Sequence, residues 1–393
     1  MRNVLYISSY SMLRGLGFST LYVYSAVYIT SVLGGSFLFD GIIFAVGGSL
    51  AAVGQYYGGS ISDRIGYSIT IKISLALSLM VMILLSFDSM ASHSLYSFSA
   101  LFMGLLVANS LQSPSSNALL SSSTDAKLRG FSILRVANNL GWGVGPAIGG
   151  FLISFGKFHT LFVYAMILVG ASLIVSLLLS DPEKKPLLKT GFRTDNRLLI
   201  LLSLASLMVF IVQSQETVTL SNFVRLIRDF PYYYLGIIYM TNGLFVIVSQ
   251  APVYRLIRKI GNYYSFGIGS IIYSAGFFSY AADPSLFWMV VSTIVLTVGE
   301  DFAFPTGLTI VSEISRPERI GKNMGIYNSF LQFGRAVGPI ISGLAFTITL
   351  NPYLLWSITS FWGVAGAIMF FIVFRGGIRN PFQDSTPQVI LGK

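Results

Sequence analysis

The sequence predicts an all-α membrane protein with twelve transmembrane helices in two pseudo-symmetric six-helix bundles. Three observations lead to this fold class. Hydrophobic residues make up 54% of the 393 residues and charged residues 10%, with a mean hydropathy of +0.73, whereas a soluble domain carries roughly a quarter charged residues. Apolar runs about long enough to cross a bilayer recur from end to end. Two similar Gly-Pro stretches lie about 190 residues apart.

Apolar runs between polar breaks indicate the twelve helices. Their approximate bounds are 4–32, 37–60, 68–87, 95–121, 130–156, 159–179, 198–223, 232–257, 264–282, 286–312, 323–348 and 354–374. The longest polar break follows the sixth run. We therefore expect the chain to divide into an N-terminal bundle, a linker, a C-terminal bundle and a tail, at 1–180, 181–197, 198–375 and 376–393.

The basic residues support this count and give an orientation. Of the 25 lysines and arginines, twenty fall on the side of the N-terminus and two inside spans, and the remaining three are Lys157, Arg225 and Arg228. Positive charge accumulates in cytoplasmic loops. The sequence therefore predicts a multi-pass plasma-membrane protein with both termini and the linker in the cytoplasm. The net charge of +10 then reflects loops, and no extended basic arm indicates nucleic-acid binding.

The two Gly-Pro stretches show that the halves are repeats. GWGVGPAIGG (141–150) falls in the fifth helix and GRAVGPIISG (334–343) in the eleventh, the same place in each half. Membrane helices tolerate Gly and Pro, and small residues let helices approach closely. We expect packing and hinge roles for nine of these residues: Gly141, Gly145, Pro146, Gly149, Gly150, Gly334, Gly338, Pro339 and Gly343. Such parallel repeats are typical of one large class of transporters.

At these residues the chain resembles the major facilitator superfamily. The segment 59–66, GSISDRIG, is similar to the signature between the second and third helices of that family, and the stretch at 141–150 is similar to a fifth-helix motif of its proton-coupled drug antiporters. The resemblance implies the major facilitator fold. The chain departs from the family in having Tyr67 and Ser68 after Gly66, no arginine at Ala100, and Arg14 in place of a first-helix acid.

The resemblance also implies a conformational latch made by Gly59, Asp63, Arg64 and Gly66. In the family, the aspartate lies near the start of the eleventh helix and holds the cytoplasmic side closed. A carboxylate at a helix N-terminus gains about 0.3–1 kcal/mol, enough to bias two states without locking either. The alternative is an ordinary solvated loop.

Five ionisable residues fall well inside spans, where each is costly unless it faces a partner or a water-filled cavity. Rise along the helices puts Arg14, Glu300, Asp301 and Arg335 near the midplane and Glu216 in the outer third. Adjacent carboxyls at low dielectric do not ionise together easily. We therefore expect Glu300 or Asp301, with Glu216 as a further candidate, to carry a proton. The alternative for Arg335 is a structural ion pair with the two acids.

Polar residues at helical spacing indicate the substrate site. With the two arginines, the candidates are Asn109, Gln112, Gln213, Asn328 and Gln332. The arginines would attract an anionic group or hold the carboxylates when substrate is absent.

The predicted function is secondary transport of a small organic solute by alternating access, with proton-coupled export preferred. Proton-coupled uptake of a small organic anion is the rival. The partners expected are the substrate, protons and the lipid bilayer around a monomer, with no cofactor and no metal. The chain has no cysteine, no Walker loop and no nucleophile motif, so an enzyme is not favoured. A sensor derived from a transporter fold is a further alternative.

Overall fold

The computed structural model describes residues 2–91, 94–124, 127–181, 197–315 and 320–374. Within these ranges the chain forms twelve helices, numbered α1 to α12 in chain order. Their bounds are Arg2–Val27, Phe37–Ile65, Tyr67–Ala91, Leu95–Ser123, Lys127–Phe155, Phe158–Ser176, Arg197–Ile227, Tyr232–Ile260, Asn262–Ser279, Leu286–Glu313, Ile320–Ile348 and Pro352–Val373.

Three of these helices depart from regular α geometry. A π-helical turn, Tyr28–Val32, extends α1. The α4 helix is interrupted at Leu111, three residues before Pro114, which cannot donate to the Ser110 carbonyl. The α7 helix passes through a 3-10 turn and ends in a π turn that carries it to Ile227. The ends of α1 and α7 are thus alike, although their sequences differ.

The predicted all-helical membrane fold is confirmed. Nine of the helices in the described ranges are long and apolar enough to cross a membrane on their own. The other three, α1, α5 and α9, carry more serine, tyrosine, asparagine and glycine. They are enclosed by their neighbours, since α1 packs on α5 and α6, and α9 packs on α10 and α12. Helix contacts therefore compensate for their lower hydropathy.

The two halves repeat the same set of helix contacts. In the first half α1 packs on α5 and α6, α2 on α4, and α3 on α4 and α6. In the second half α7 packs on α11 and α12, α8 on α10, and α9 on α10 and α12. The halves meet through α2 with α11 and α5 with α8. Every contact in this set maps onto another when six is added to or subtracted from the helix numbers.

The bundle has two ends, which we call the N-terminal face, where α1 begins, and the opposite face. Short connections make successive helices antiparallel. At the N-terminal face, Asn3 donates to the carbonyl of Ser180 beyond α6 at 3.1 Å. The predicted linker, 181–197, lies outside the described residues except for its two ends, as does the tail, 376–393, so these boundaries stay predictions.

The outer surface of the bundle is apolar. Large hydrophobic side chains with more than half of their surface exposed occur on several helices, for example Phe87, Phe155, Ile174, Val248 and Phe361. In water such a surface would aggregate, whereas lipid tails cover it without cost.

Candidate functional site

The first Gly-Pro helix, α5, is bound along its length by hydroxyl groups of α1. Ser19 donates to the Gly141 carbonyl at 2.9 Å, Thr20 to Gly145 at 2.7 Å, and Tyr24 to Pro146 at 2.9 Å. A methyl group at Gly141 would lie 3.0 Å from the Cα of Gly15, so the two backbones are in direct contact. The glycines of the motif thus pack α5 against α1, and their hinge role stays a prediction.

The second Gly-Pro helix, α11, is held by α7 in the corresponding way. Gln215 donates to the Gly338 carbonyl at 3.2 Å, and the hydroxyls of Thr219 and Ser342 are 2.6 Å apart. At Gly334 a methyl group would lie 2.5 Å from the Leu207 carbonyl oxygen. The repeat therefore extends from sequence to packing.

Glycines of these motifs also form the two seams between the halves. A methyl group at Gly243 of α8 would lie 2.8 Å from the Cα of Gly143 in α5. At Gly41 of α2 it would lie 2.2 Å from the Pro339 carbonyl oxygen of α11. Next to that contact, the rings of Phe37 and Phe346 stack at 4.4 Å. The contacts at Gly41 and Phe37 lie at the start of α2, so they join the halves at the opposite face.

The predicted latch lies between α2 and α3. The surroundings of Gly59 and the side chain of Asp63 are outside what the structure describes, and Arg64 is exposed. Gly66 ends α2 with φ of +110°, which favours glycine. The carboxylate of Asp181, just past α6, accepts from the Ser68 amide at 2.8 Å. The loop is therefore tied to its own half, and a latch across to α11 stays a prediction.

A large cavity of about 830 Å³ lies between the halves. The segments that line it come from the halves of α2, α4, α10 and α11 that are nearer the N-terminal face, together with Phe210 of α7. Its polar lining includes Ser49, Gln55, Ser113, Asn117, Asn328, Gln332 and Arg335. Three predicted substrate residues, Asn328, Gln332 and Arg335, are thus brought together there. Since the opposite face is closed, this cavity gives the protein one accessible side.

Arg335 is held in the large cavity by two glutamines and a ring. It donates to Gln213 at 2.8 Å and to Gln332 at 2.5 Å, and its guanidinium lies 4.7 Å from the centre of the Phe210 ring. Gln332 in turn donates to Gln55 of the first half at 3.2 Å. This network crosses the boundary between the halves and leaves Arg335 exposed to the cavity.

A small cavity of about 190 Å³ holds two of the predicted proton carriers, Glu216 and Glu300. Tyr273 donates to Glu216 at 3.1 Å, and Asn242 donates to Glu300 at 3.2 Å. Tyr22, Trp142 and Tyr239 supply aromatic walls. Glu216 was expected in the outer third, apart from the other charges. The structure instead brings Glu216 into the same cavity as Glu300, and its depth in the membrane stays a prediction.

Three aromatic rings connect the two cavities. Phe210, beneath Arg335, stacks on Phe304 at 4.6 Å, and Phe304 meets the ring of Tyr273 at 5.5 Å. Tyr273 carries the hydroxyl that donates to Glu216. A substrate in the large cavity would therefore contact Phe210 and Phe304, and Phe304 packs on the ring whose hydroxyl bonds the acid.

The adjacent acids of α10 face different surroundings. Glu300 lines the small cavity, whereas Asp301 is 7% exposed and accepts a 2.5 Å hydrogen bond from Ser249 of α8. Consecutive residues differ by about 100° around a helix. Of the two candidates that the sequence left open, Glu300 is the one that lines the cavity.

Arg14 lies in a separate polar cluster inside the first half. It donates to the Asn109 side-chain oxygen at 3.0 Å, and Gln112 donates to the same oxygen at 3.0 Å. The Nε of Arg14 and the side-chain oxygen of Gln112 are buried without a hydrogen-bond partner. These three predicted substrate residues thus lie together, outside the lining of the two cavities described above.

The expected alternative, a structural ion pair of Arg335 with the α10 acids, is not found. Within the described ranges the salt bridge identified joins Arg225 and Asp229 at 2.6 Å, in the loop at the opposite face. The charges near the midplane are instead held by amides, hydroxyls and rings.

Several residues of the small cavity were not singled out from the sequence. Arg135 was counted among the loop charges, but it lies eight residues inside α5 and lines this cavity. When the Gln250 amide oxygen is turned toward it, that oxygen accepts from Arg135 at 2.7 and 3.1 Å. Asn139 and Asn242 were also missed. A search for every amide inside a span would have found both.

Comparisons with known proteins agree with this architecture. YhjO, an uncharacterized MFS-type transporter of Bacillus subtilis, is 26% identical over 341 residues, covering 82% of this chain and 81% of its own. Multidrug resistance protein 1 of Bacillus subtilis is 25% identical over 266 residues, covering 64% and 67%. The crystal structure of a mutant of nucleoside transporter NupG superimposes with a TM-score of 0.79 at 16% identity, covering 94% and 99%. The Major Facilitator Superfamily model matches residues 7–339, with a second overlapping match at 235–389. The chain therefore belongs to the major facilitator superfamily and is a multi-pass membrane transporter.

Proposed function

We propose that this transporter exports small amphipathic organic compounds in exchange for protons. The observation that carries the proposal is the small cavity, where Glu216 and Glu300 lie together and form no salt bridge with any residue that the structure describes. A carboxyl in such a place can exchange a proton for a bound substrate, because an uncompensated charge is costly there. The resemblance of the Gly141–Gly150 stretch to the antiporter motif and the likeness to a multidrug resistance protein support export.

In this cycle the large cavity admits substrate from the N-terminal face, which we place in the cytoplasm. The rings of Phe210 and Phe304 contact its apolar part, and Phe304 packs on Tyr273. Glu216 and Glu300 release their proton as substrate arrives. The halves then move about the glycine seams, the opposite face opens, and protons from outside displace the substrate. The protein works as a monomer in the bilayer, and no cofactor takes part.

A second candidate is proton-coupled uptake of a small organic anion. The observation in its favour is Arg14, a half-buried cation whose Nε has no hydrogen-bond partner and which has no salt bridge within the described ranges. An anion would satisfy both needs. In this case substrate and protons travel in the same direction.

Flux in proteoliposomes separates the two functions. An internal pH dye reports proton movement while cationic, neutral and anionic compounds are added one at a time. Export predicts that cationic or neutral compounds drive protons the opposite way and that Glu300→Gln abolishes this. Uptake predicts that only anions respond, with protons moving alongside and Arg14→Gln removing the response. Proton movement that survives in both variants would contradict both functions.

A further inference from the structure

Asp40 is a fully buried carboxyl at the opposite face, nine residues before Ser49, the first residue of α2 that lines the large cavity. It lies in the first turn of α2 and is 0% exposed. Its neighbour Gly41 touches the backbone of Pro339, and the stacked rings of Phe37 and Phe346 lie one turn away. Asp40 therefore sits in the contact that closes this face, and the midplane mechanism does not use it.

The hydrogen bonds of Asp40 join three helices from both halves. Asn222 of α7 donates to Asp40 Oδ2 at 2.9 Å, and the side-chain oxygen of Asn222 accepts from Thr30 at the end of α1, also at 2.9 Å. The other carboxyl oxygen, Oδ1, is buried and has no hydrogen-bond partner. The Asp40 carboxyl thus receives one hydrogen bond, from a neutral amide, whereas an ionised carboxylate needs several hydrogen-bond donors.

The charged groups near this face are committed elsewhere. On α7, Arg225 pairs with Asp229 and donates to the Phe230 carbonyl. Arg228 donates to the Ala281 carbonyl and lies over the Phe223 ring. Within the described residues, the side-chain hydrogen bond found for Asp40 comes from the uncharged amide of Asn222. Among the residues that the structure describes, no cation therefore forms a salt bridge with this carboxyl.

Magnitudes decide its charge state when the face is closed. The N-terminus of α2 can stabilise an anion by about 0.3–1 kcal/mol. Burying an unpaired carboxylate costs several kcal/mol. A buried group in this position takes up a proton rather than bear that cost.

We propose that Asp40 is a second protonation site of the transport cycle, which binds a proton when the opposite face closes and releases it when that face opens. Opening separates α2 from α7 and α11, and water then solvates the carboxylate. Low pH at this face favours closure and high pH favours opening. One proton per closure allows a change of up to about tenfold in the closed-to-open ratio per pH unit. The proposal does not depend on the substrate or on the midplane acids.

The test measures opening of this face directly. The chain has no cysteine, so spin labels can be attached at Val32→Cys on α1 and Leu226→Cys on α7, both partly exposed near this face. Pulsed dipolar spectroscopy in nanodiscs gives the fraction of open molecules between about pH 5 and 9. The measurement is repeated with Glu216→Gln, Glu300→Gln and Asp301→Asn combined, which removes the midplane acids from the titration.

The expected result is an open fraction that rises with pH in both backgrounds and no longer rises when Asp40→Asn is added to the triple variant. The matched control is Asp283→Asn in an exposed loop of the same face, where hydrogen bonds from Ser285 hold the pKa of Asp283 below its ordinary value. Asp283 stays ionised between about pH 5 and 9, so the open fraction of the Asp283→Asn control should still rise with pH. An open fraction independent of pH in the triple variant overturns the proposal, even if Asp40→Asn does not fold. An unchanged pH dependence in the folded triple variant that also carries Asp40→Asn overturns it as well.

Discussion

The first and second halves share their backbone packing but differ in charge. Thr20 of α1 and Gln215 of α7 each donate to the glycine that precedes the motif proline. Counting from these two residues, Glu216 occupies the place that Leu21 has in the first half. Counting from the motif glycines, Arg335 occupies the place of Trp142.

This difference teaches what the repeat preserves. Close backbone contacts need glycine, and a polar side chain there would separate the helices. Side chains that face the central space are free to differ, because they contact water or substrate rather than a neighbouring backbone. The acids of the site, Glu216 and Glu300, accordingly come from the second half, and the first half supplies aromatic rings, amides and Arg135.

The largest expected effect is a difference in proton-coupled flux between variants of Glu300 and Asp301, two neighbouring acids of the second half. Glu300→Gln should lower proton-coupled flux by about 100-fold, the size typical of losing a proton-transfer group. Asp301→Asn should lower it by only a few fold, because Asp301 packs against Ser249 outside the small cavity. Flux in proteoliposomes, normalised to inserted protein, gives both numbers. Equal losses of flux in the two variants would mean that lining the small cavity does not determine which acid carries the proton.

The next effect tests whether the glycine contacts of the two halves are equally tight. Gly145→Ala and Gly338→Ala each bring a methyl group within 2.7 Å of a carbonyl oxygen on the facing helix. Each should lower the free energy of unfolding by about 1–3 kcal/mol. Gly104→Ala in α4 is the control, since nothing lies within 4 Å of its added methyl group. Thermal unfolding followed by tryptophan fluorescence should leave the control unchanged or slightly stabilised. If only one of the two variants loses stability, the corresponding glycine contacts of the two halves do not contribute equally to the free energy of unfolding.

The smallest effect is the difference between two corresponding turns. Gly66 and Gly261 end α2 and α8 with φ of +110° and +84°. Alanine at either site should cost about 1–3 kcal/mol from backbone strain. A methyl group at Gly66 would also lie 2.6 Å from the Asp181 carboxylate, whereas nothing lies within 4 Å at Gly261. We expect Gly66→Ala to unfold at a lower temperature than Gly261→Ala. Its loss in the free energy of unfolding should be larger by about 1 kcal/mol. Combining Asp181→Ala with Gly66→Ala should remove this extra loss. If the extra loss persists, another neighbour of Gly66 causes it.

The sequence predicted the helices because each membrane span is a continuous run of apolar residues. Glu300 and Asp301 show why the site was harder to predict. Their depth follows from their residue numbers, but the small cavity faces one of them only because of how α10 is rotated against α8. Arg135 was misplaced for a related reason, since a basic residue near a helix start resembles a loop charge until the start of α5 is known. Asp40 was overlooked because a carboxylate in the first turn of a helix is ordinary unless another helix covers it.

The glycine seams have a consequence for the ionic strength of the medium. Backbone-to-backbone contacts at Gly41 and Gly143 are made by dispersion forces, which dissolved salt does not screen. With Asp40 neutral and its partner an amide, opening of the opposite face separates no charged pair across the halves. The rate of that opening should therefore be nearly the same in dilute buffer and in concentrated salt, so that a cell facing changing salinity keeps the same transport cycle.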